Sequence, residues 1–328
     1  MKRRLAVLAA LCCLATGAAA PVSVIFDTDM GNDVDDALAL AMLHALESRG
    51  ECRILAVTIT KDNPWAAVYV DLVNTFYGRA GIPVGVVKGS GITAEDSRMI
   101  QAPAERKDTA GRFVYPSRLA SGADAPDATA VLRRALTDAD DGSVVIVQVG
   151  FSTNLARLLE SGPDAAALAK RKVKLLVMMA GNFAEAKPEF NVEKDVASAR
   201  RVLRDWPGSI VMSGFEIGRS MLFPAAVIEH DFAYVKDHPI ADAYRSYMKM
   251  PYDRPTWDVT AALYAVRPDR GYFNLSPPGE VAVDAQGRTD FHAEPAGRRR
   301  YLTIDDRERA RALEAMELLA SQPPDARR

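Results

Sequence analysis

The sequence predicts an α/β protein built on an open, mostly parallel central sheet with helices on both faces. Three observations carry that prediction. Short apolar runs alternate with helix-like stretches from residue 22 onward. The runs are mainly apolar rather than alternating, as expected of strands covered on both faces. Five carboxylates fall within Asp27-Thr-Asp-Met-Gly-Asn-Asp-Val-Asp-Asp36, directly behind the first run, and open α/β sheets bind ligands just beyond the carboxyl ends of their strands.

The elements follow in order. Residues 22–26 make the first strand and residues 34–47 the helix after it. Further strands are predicted at 54–60, 84–87, 144–149, 173–180 and 210–213, with helices at 64–78, 127–138, 154–160 and 192–204 between them. Such alternation implies a parallel sheet. The segment 89–125 is polar and punctuated by Gly and Pro, and reads as a loop region beside the site. Helices are expected at 225–236, 240–249 and 258–266, edge strands at 281–284 and 300–304, and a closing helix at 305–320. There is no internal repeat and no low-complexity linker.

The first twenty residues stand apart. Lys2-Arg3-Arg4 precedes an apolar stretch from Leu5 to Ala15, and Thr16-Gly-Ala-Ala-Ala20 precedes Pro21. A basic start, a short apolar stretch and small residues describe a secretory signal peptide, here cleaved after Ala20. Residues 21–328 then form a single domain in the periplasm or outside the cell. The apolar stretch falls short of the ~20 residues that cross a bilayer, so no stable membrane anchor is expected. Cleavage removes Cys12 and Cys13 and leaves Cys52 alone, so no internal disulfide forms and the core must supply the stability. Cys52 precedes a strand, where a packed thiol is the ordinary reading. It also leaves 38 basic against 43 acidic side chains, moving the formal charge from −2 to −5. That balance suggests no nucleic-acid surface.

Five anions on one strand-to-helix turn repel one another unless a cation sits among them, and a hard ion with oxygen ligands, Ca²⁺ or Mg²⁺, fits that need. An EF-hand beginning at Asp27 fails, with Asn32 in place of the required Gly and Leu38 in place of the bidentate Glu. An Asp-x-Asp nucleophile loop of the phosphatase type wants Thr or Val where Gly31 stands. A metal-activated water held by Asp29 and Asp36, with one carboxylate taking its proton, is the third reading. Helix capping, for which Asp33 is well placed, explains one or two of the five.

Asp-x-Asp-x-Gly followed by Asp35-Asp-Ala37 resembles the inosine–uridine-preferring nucleoside hydrolases, and three further blocks follow in that family's order. Val149-Gly-Phe-Ser-Thr-Asn-Leu-Ala156 is similar to its Gly-x-x-Thr-Asn block. Val177-Met-Met-Ala-Gly-Asn182 with Pro188-Glu-Phe-Asn-Val192 resembles its Met-Gly-Gly and Glu-Phe-Asn stretches. Thr256-Trp-Asp-Val-Thr-Ala261 resembles its late helix start. Taken singly, Thr153, Asn154 and Asp258 read as ordinary helix starts, and Met178 and Met179 as core.

The resemblance implies an enzyme that hydrolyses the N-glycosidic bond of ribonucleosides or related N-ribosides, through a Ca²⁺-held water and an oxocarbenium-like transition state. It implies Asp29 as general base and ligand, with Asp36, the main-chain carbonyl of Thr153 and Asp258 as further ligands. Asp35 and Asn191 would hold the ribose hydroxyls, Glu189 the 5′ end and Met179 the sugar's underside. Asp27 would orient the loop from behind. Family members often form dimers or tetramers, so a homo-oligomer is among the implied partners. A non-catalytic periplasmic nucleoside or sugar receptor on the same fold is the alternative; retention of Asp29 argues against it, because a pure binder needs no base. A metal-dependent phosphatase needs a later Lys and acidic pair that the sequence does not place.

The chain departs from the family pattern in three ways. The loop between Gly31 and Asp35 is two residues longer, leaving Asp33 as a second candidate ligand. Trp257 stands where many members place the histidine associated with protonating the leaving base, which points to aromatic stacking or a different aglycone. The stretch from Met179 to Glu189 is shorter and lacks the usual asparagine just ahead of Glu189, with Lys187 as a substitute. Asn63, in Thr60-Lys-Asp-Asn-Pro-Trp65, is the candidate for an asparagine expected beyond the second strand, with Lys61 next. Glu216 contacts substrate or pairs with Arg219 or another basic group. Tyr244, Tyr247, Tyr252 and Trp257 are candidates for the base pocket.

Overall fold

The computed structural model describes residues 20–90, 92 and 98–325. The signal peptide expected over residues 1–20 lies, apart from Ala20, outside the described residues.

The first half of the chain alternates as predicted. It runs β1 (Val22–Thr28), α1 (Asp35–Ser48), β2 (Cys52–Ile59), α2 (Ala66–Phe76), β3 (Val84–Val86), α3 (Arg98–Glu105), α4 (Ala128–Asp138), β4 (Val144–Gln148), α5 (Thr153–Glu160), α6 (Ala165–Lys172) and β5 (Val173–Met179). The second half adds α7 (Phe190–Lys194), α8 (Val196–Asp205), β6 (Ile210–Ser213), α9 (Phe215–Arg219), β7 (Leu222–Phe223), α10 (Ala225–His230), α11 (Pro239–Tyr247), β8 (Arg254–Pro255) and α12 (Trp257–Val266). β9 (Asn274–Leu275), β10 (Gly279–Val283), β11 (Thr289–Ala293), β12 (Arg299–Thr303) and α13 (Asp306–Ala320) close the chain.

The main sheet runs β11-β10-β12-β6-β5-β4-β1-β2-β3, with β9 paired to β12. From β12 to β3 every neighbouring pair is parallel, while β9, β10 and β11 pair antiparallel. The chain lays β2 and β3 on one side of β1 and then returns to place β4 on the other. That reversal opens a crevice beyond the carboxyl ends of β1 and β4, where doubly wound sheets take their ligands.

Two cores cover the faces. Side chains of α1, α2, α11, α12 and α13 pack on one face, and those of α4, α5, α6 and α8 on the other. α1 is apolar on nearly every side and is buried from Asp35 through Leu46, as a helix enclosed by sheet and neighbouring helices must be. Cys52 is a buried thiol donating to the Leu43 carbonyl at 3.5 Å, and burial raises its pKa.

Four sequence expectations are corrected. The stretch 89–125 contains a helix, α3, which buries Met99, Ile100, Pro103 and Ala104; the internal Pro103 hid it. The single helix expected at 192–204 is two, because Asp195 leaves helical geometry (φ −145°) and caps α8 through Ser198 N at 3.1 Å. α6 was not expected. β10 and β12 are interior strands; the edge belongs to β11.

Candidate functional site

At the crevice lies a cavity of about 300 Å³ with two unlike halves. Asp29, Asp35, Asp36, Asp258, Glu189 and Asn191 supply the acidic half, and Phe190, Phe215, Tyr247 and Trp257 the aromatic one.

The acidic half starts from the turn after β1. Gly31 adopts φ +111°, which L side chains rarely take, and Ile100 of α3 packs so closely that a Cβ there would lie 2.6 Å from its Cδ1. The turn carries Asp35 and Asp36 into the first turn of α1, aimed back at the sheet. Asp258, at the start of α12, joins them: one carboxylate oxygen from each of Asp35, Asp36 and Asp258 lies within 4.8 Å of the other two. The Asp258 N–H donates to Asp35 Oδ2 at 2.9 Å, and Thr28 Oγ1 donates to Asp36 Oδ1. Asp36 Oδ2 is buried with no hydrogen-bond partner among the described residues.

Burial pushes the pKa of each of these three carboxyls well above the ordinary range, and repulsion from neighbouring carboxylates, Asp29 and Asp33 among them, adds to it. Buried carboxylates this close cannot all stay charged without a cation. The orphaned Asp36 oxygen and the all-oxygen donor set fit a hard divalent ion, and the absence of His or Cys from the cluster disfavours zinc.

Asp29 lines the same cavity outside this tightest cluster. Its Oδ2 accepts from Asn32 Nδ2, and Asn32 Oδ1 accepts from the buried Lys61 ammonium. Burial raises Asp29 to about 6, with the Lys61 charge pulling the other way. Asp27 sits one layer behind. Its Oδ1 accepts from Thr58 at 2.6 Å and from Asn154 Nδ2 at 2.8 Å, and burial raises it to about 7.

The ends of β4 and β5 complete this half. Asn191 Nδ2 donates to the main-chain oxygens of Val149 at 2.7 Å and Met179 at 3.1 Å. Glu189 caps α7, accepting from the N–H groups of Asn191 (3.0 Å), Gly181 (3.1 Å) and Val192 (3.3 Å), and burial lifts its pKa to about 7. Met179 lies on the cavity wall.

Several expected residues stand elsewhere. Thr153 does not line the cavity; it opens α5 and its hydroxyl donates to Asp195 Oδ2 at 2.5 Å. Val149, just past the end of β4, lines the cavity, and its main-chain oxygen accepts from Asn191. Asn63 also stands off the wall, its Oδ1 accepting from Trp65 N (2.7 Å) and Ala66 N (3.2 Å) at the start of α2. Asp33 does line the cavity, but it does not cap α1; its carboxylate pairs with Arg254. Glu216 faces a different cleft with Phe183 and Tyr301, and accepts from the Phe183 N–H at 3.2 Å. Lys187 is exposed and pairs with Glu185. Of the tyrosine candidates, Tyr247 lines the cavity, Tyr244 is core, and Tyr252 donates to the Tyr244 carbonyl at 2.7 Å.

Trp257 is held firmly. Its Nε1–H donates to the Phe215 carbonyl at 2.9 Å, and its ring stacks with Phe215 at 5.5 Å. Gly218 makes this contact possible, since a Cβ there would lie 2.3 Å from Trp257 Cα. The sequence reading passed over Asn32, Val149, Phe190, Phe215 and Arg254. The first signal for Val149 was its place at the end of an apolar run, and for Arg254 its spacing just ahead of Asp258.

Among the described residues, no helix is long and apolar enough to cross a membrane. Comparison with curated proteins finds no match. Solved structures share the fold. A plant nucleoside hydrolase, PpNRh1, is 20% identical with a TM-score of 0.67, over 92% of this chain and 100% of that one. The inosine-uridine preferring nucleoside hydrolase from Bacillus anthracis is 20% identical with a TM-score of 0.67, over 92% and 99%. A purine-preferring ribonucleoside hydrolase from Gardnerella vaginalis is 17% identical with a TM-score of 0.66, over 91% and 99%. Residues 24–317 match the family model of the inosine-uridine preferring nucleoside hydrolases. The chain belongs to that family of metal-dependent enzymes, which hydrolyse N-glycosyl compounds.

Proposed function

We propose that this chain is a Ca²⁺-dependent N-ribohydrolase that cleaves ribonucleosides to ribose and free base. It would act in the periplasm or outside the cell after loss of residues 1–20, with residues 21–328 as one domain. The observation that carries the reading is the convergence of Asp35, Asp36 and Asp258 within 4.8 Å in a cavity whose other half is aromatic. One half suits a cation and a polyhydroxylated sugar, the other a planar base.

Asp36 and Asp258, with Asp35 beside them and Asp29 in the same cavity, are the residues that would hold the ion. The main-chain carbonyl of Thr153, the first residue of α5, would add a further oxygen ligand, as the family resemblance implies. A bound divalent cation supplies Lewis acidity and makes a neighbouring water easier to deprotonate.

The chain's own groups do the rest. Asp29 accepts the proton of the attacking water, since its carboxylate lines the cavity beside the acidic cluster. Asp35 and Asn191 hold ribose hydroxyls, and Glu189 lies toward the 5′ end. These carboxylates also favour the positive charge that develops on the sugar as the C–N bond lengthens. Asn191 fixes the ends of β4 and β5, so the sugar's seat is rigid.

The test is ribose release from a panel of ribonucleosides, with Ca²⁺ and with chelator. Chelator-sensitive release establishes the reaction and reads out the preferred base. Tight nucleoside binding with no ribose released would support the receptor reading instead.

A further inference from the structure

Resting on the N-ribohydrolase reading, we propose that Arg254 is a catalytic residue that binds the departing base and selects bases carrying an oxo group. Among the described residues lining the cavity it is the only cation; the other charged ones are carboxylates. It belongs to the aromatic half, with its guanidinium carbon 5.1 Å from the centre of the Tyr247 ring and 5.6 Å from that of Trp257.

The guanidinium is fixed from one side. Nε donates to Asp33 Oδ1 at 2.9 Å, and Nη2 donates to Asp33 Oδ2 and to the Tyr247 hydroxyl, the latter at 2.9 Å. Nη1 takes part in no hydrogen bond among the described residues, and the side chain keeps 22% of its surface exposed. A planar fork anchored by two of its nitrogens presents the third in a defined direction. Asp33, which supplies the anchor, lies in the turn between Gly31 and Asp35 that the sequence shows to be lengthened.

The chemistry of the bond needs such a group. As the glycosidic C–N bond breaks, its electron pair moves onto the base nitrogen and spreads to the ring's oxo oxygen. Water oxygen forms the new bond to the anomeric carbon, and its proton goes to Asp29. Charge left on the base must be met by a donor, by proton or by hydrogen bond. Among the described residues no histidine lines the cavity: His44 is buried against Asn74 and His238 against Tyr234. The Trp257 N–H is already committed to Phe215. Arg254 meets the charge by a charge-assisted hydrogen bond from Nη1 and keeps its own proton; the base then takes a proton from solvent. A guanidinium offers only donors, so it favours the oxo group of inosine over the amino group of adenosine.

The test compares Arg254→Gln and Arg254→Lys with the wild type on inosine, adenosine and p-nitrophenyl β-D-ribofuranoside, whose leaving group departs as a stable anion. In Arg254→Gln, kcat/KM should fall about 100-fold or more on inosine, a loss typical of removing one charge-stabilising donor. The fall on the p-nitrophenyl riboside should be far smaller, and the preference for inosine over adenosine should collapse. Arg254→Lys keeps a cation against Asp33, so it guards against misfolding and should recover part of the inosine activity. Equal losses on inosine and the p-nitrophenyl riboside, or an unchanged inosine-to-adenosine ratio in both variants, would overturn the assignment. If the wild type cleaves none of the three, the N-ribohydrolase reading fails first and takes this inference with it.

Discussion

Asn191 holds Val149: its side-chain nitrogen donates to the Val149 main-chain oxygen at 2.7 Å and, from the same atom, to that of Met179 at 3.1 Å. One amide on α7 thereby ties together the ends of two parallel strands at the cavity floor. Asn191→Asp replaces this donor with a carboxylate oxygen facing two carbonyls. Each orphaned buried acceptor costs about 1–3 kcal/mol, so a clear drop in melting temperature is expected together with loss of ribose release. Unchanged melting and activity in that variant would show that the tie is incidental.

Gly218 sets the seat of Trp257 and, through it, of Asp258. Gly218→Ala places a methyl 2.3 Å from Trp257 Cα, a backbone atom that cannot swing aside. Overpacking of this kind costs about 1–3 kcal/mol, and the start of α12 must move. Cation affinity, followed by calorimetric titration, should weaken along with stability. A variant that loses stability while binding the cation normally would separate the two.

Asn63 gives the opposite expectation. Its side chain closes the turn that opens α2 and stands away from the cavity wall. Asn63→Ala should lose about 0.5–2 kcal/mol of stability, as at a lost helix cap. KM and kcat should stay near wild type. A large rise in KM with stability intact would return Asn63 to the substrate.

The buried acids make stability depend on pH in a direction opposite to that of an ion-paired carboxylate. Burial raises Asp27 and Glu189 to about 7 in the folded protein, and raises Asp35, Asp36 and Asp258 as well. Between the ordinary carboxylate pKa and about 7 the folded state holds more protons than the unfolded one, so stability falls as pH rises through that window. His44 and His238, lowered to about 3 by burial, act in the reverse sense below the ordinary histidine pKa. The difference in melting temperature with and without Ca²⁺ cancels the histidine contribution. That difference should grow from pH 5 to pH 8, because the cation needs the ionised carboxylates. A difference independent of pH would exclude the buried cluster as the binding site.

The sheet was legible because its signal is local. Runs such as Val144-Val-Ile-Val147 leave few alternatives to a buried strand, and the turn after β1 announces its carboxylates in the chain itself. What sequence reasoning missed depends on where distant segments meet. Val149 follows the end of β4 and Thr153 begins α5, and the sequence alone does not say how the turn between them meets the cavity. Arg254 and Asp33 are 221 positions apart, so nothing local marks them as a pair. α3 was obscured by Pro103, whose missing N–H argues against a helix unless tertiary packing compensates. Asn63 is ambiguous for a related reason: an asparagine after a strand suits a ligand and a turn equally well.

The central claim is that a cation and Asp29 together turn over an N-riboside, and one experiment reaches it most directly. Wild-type protein and Asp29→Asn, each stripped with chelator and then titrated with Ca²⁺, are assayed for ribose release from the preferred nucleoside and for the shift in melting temperature. Ca²⁺ should restore release in the wild type and stabilise both proteins, while Asp29→Asn stays slower by about 10²–10⁴-fold, the range for loss of a general base. Near-wild-type release by Asp29→Asn, or full activity of the stripped wild type without the ion, would contradict the account.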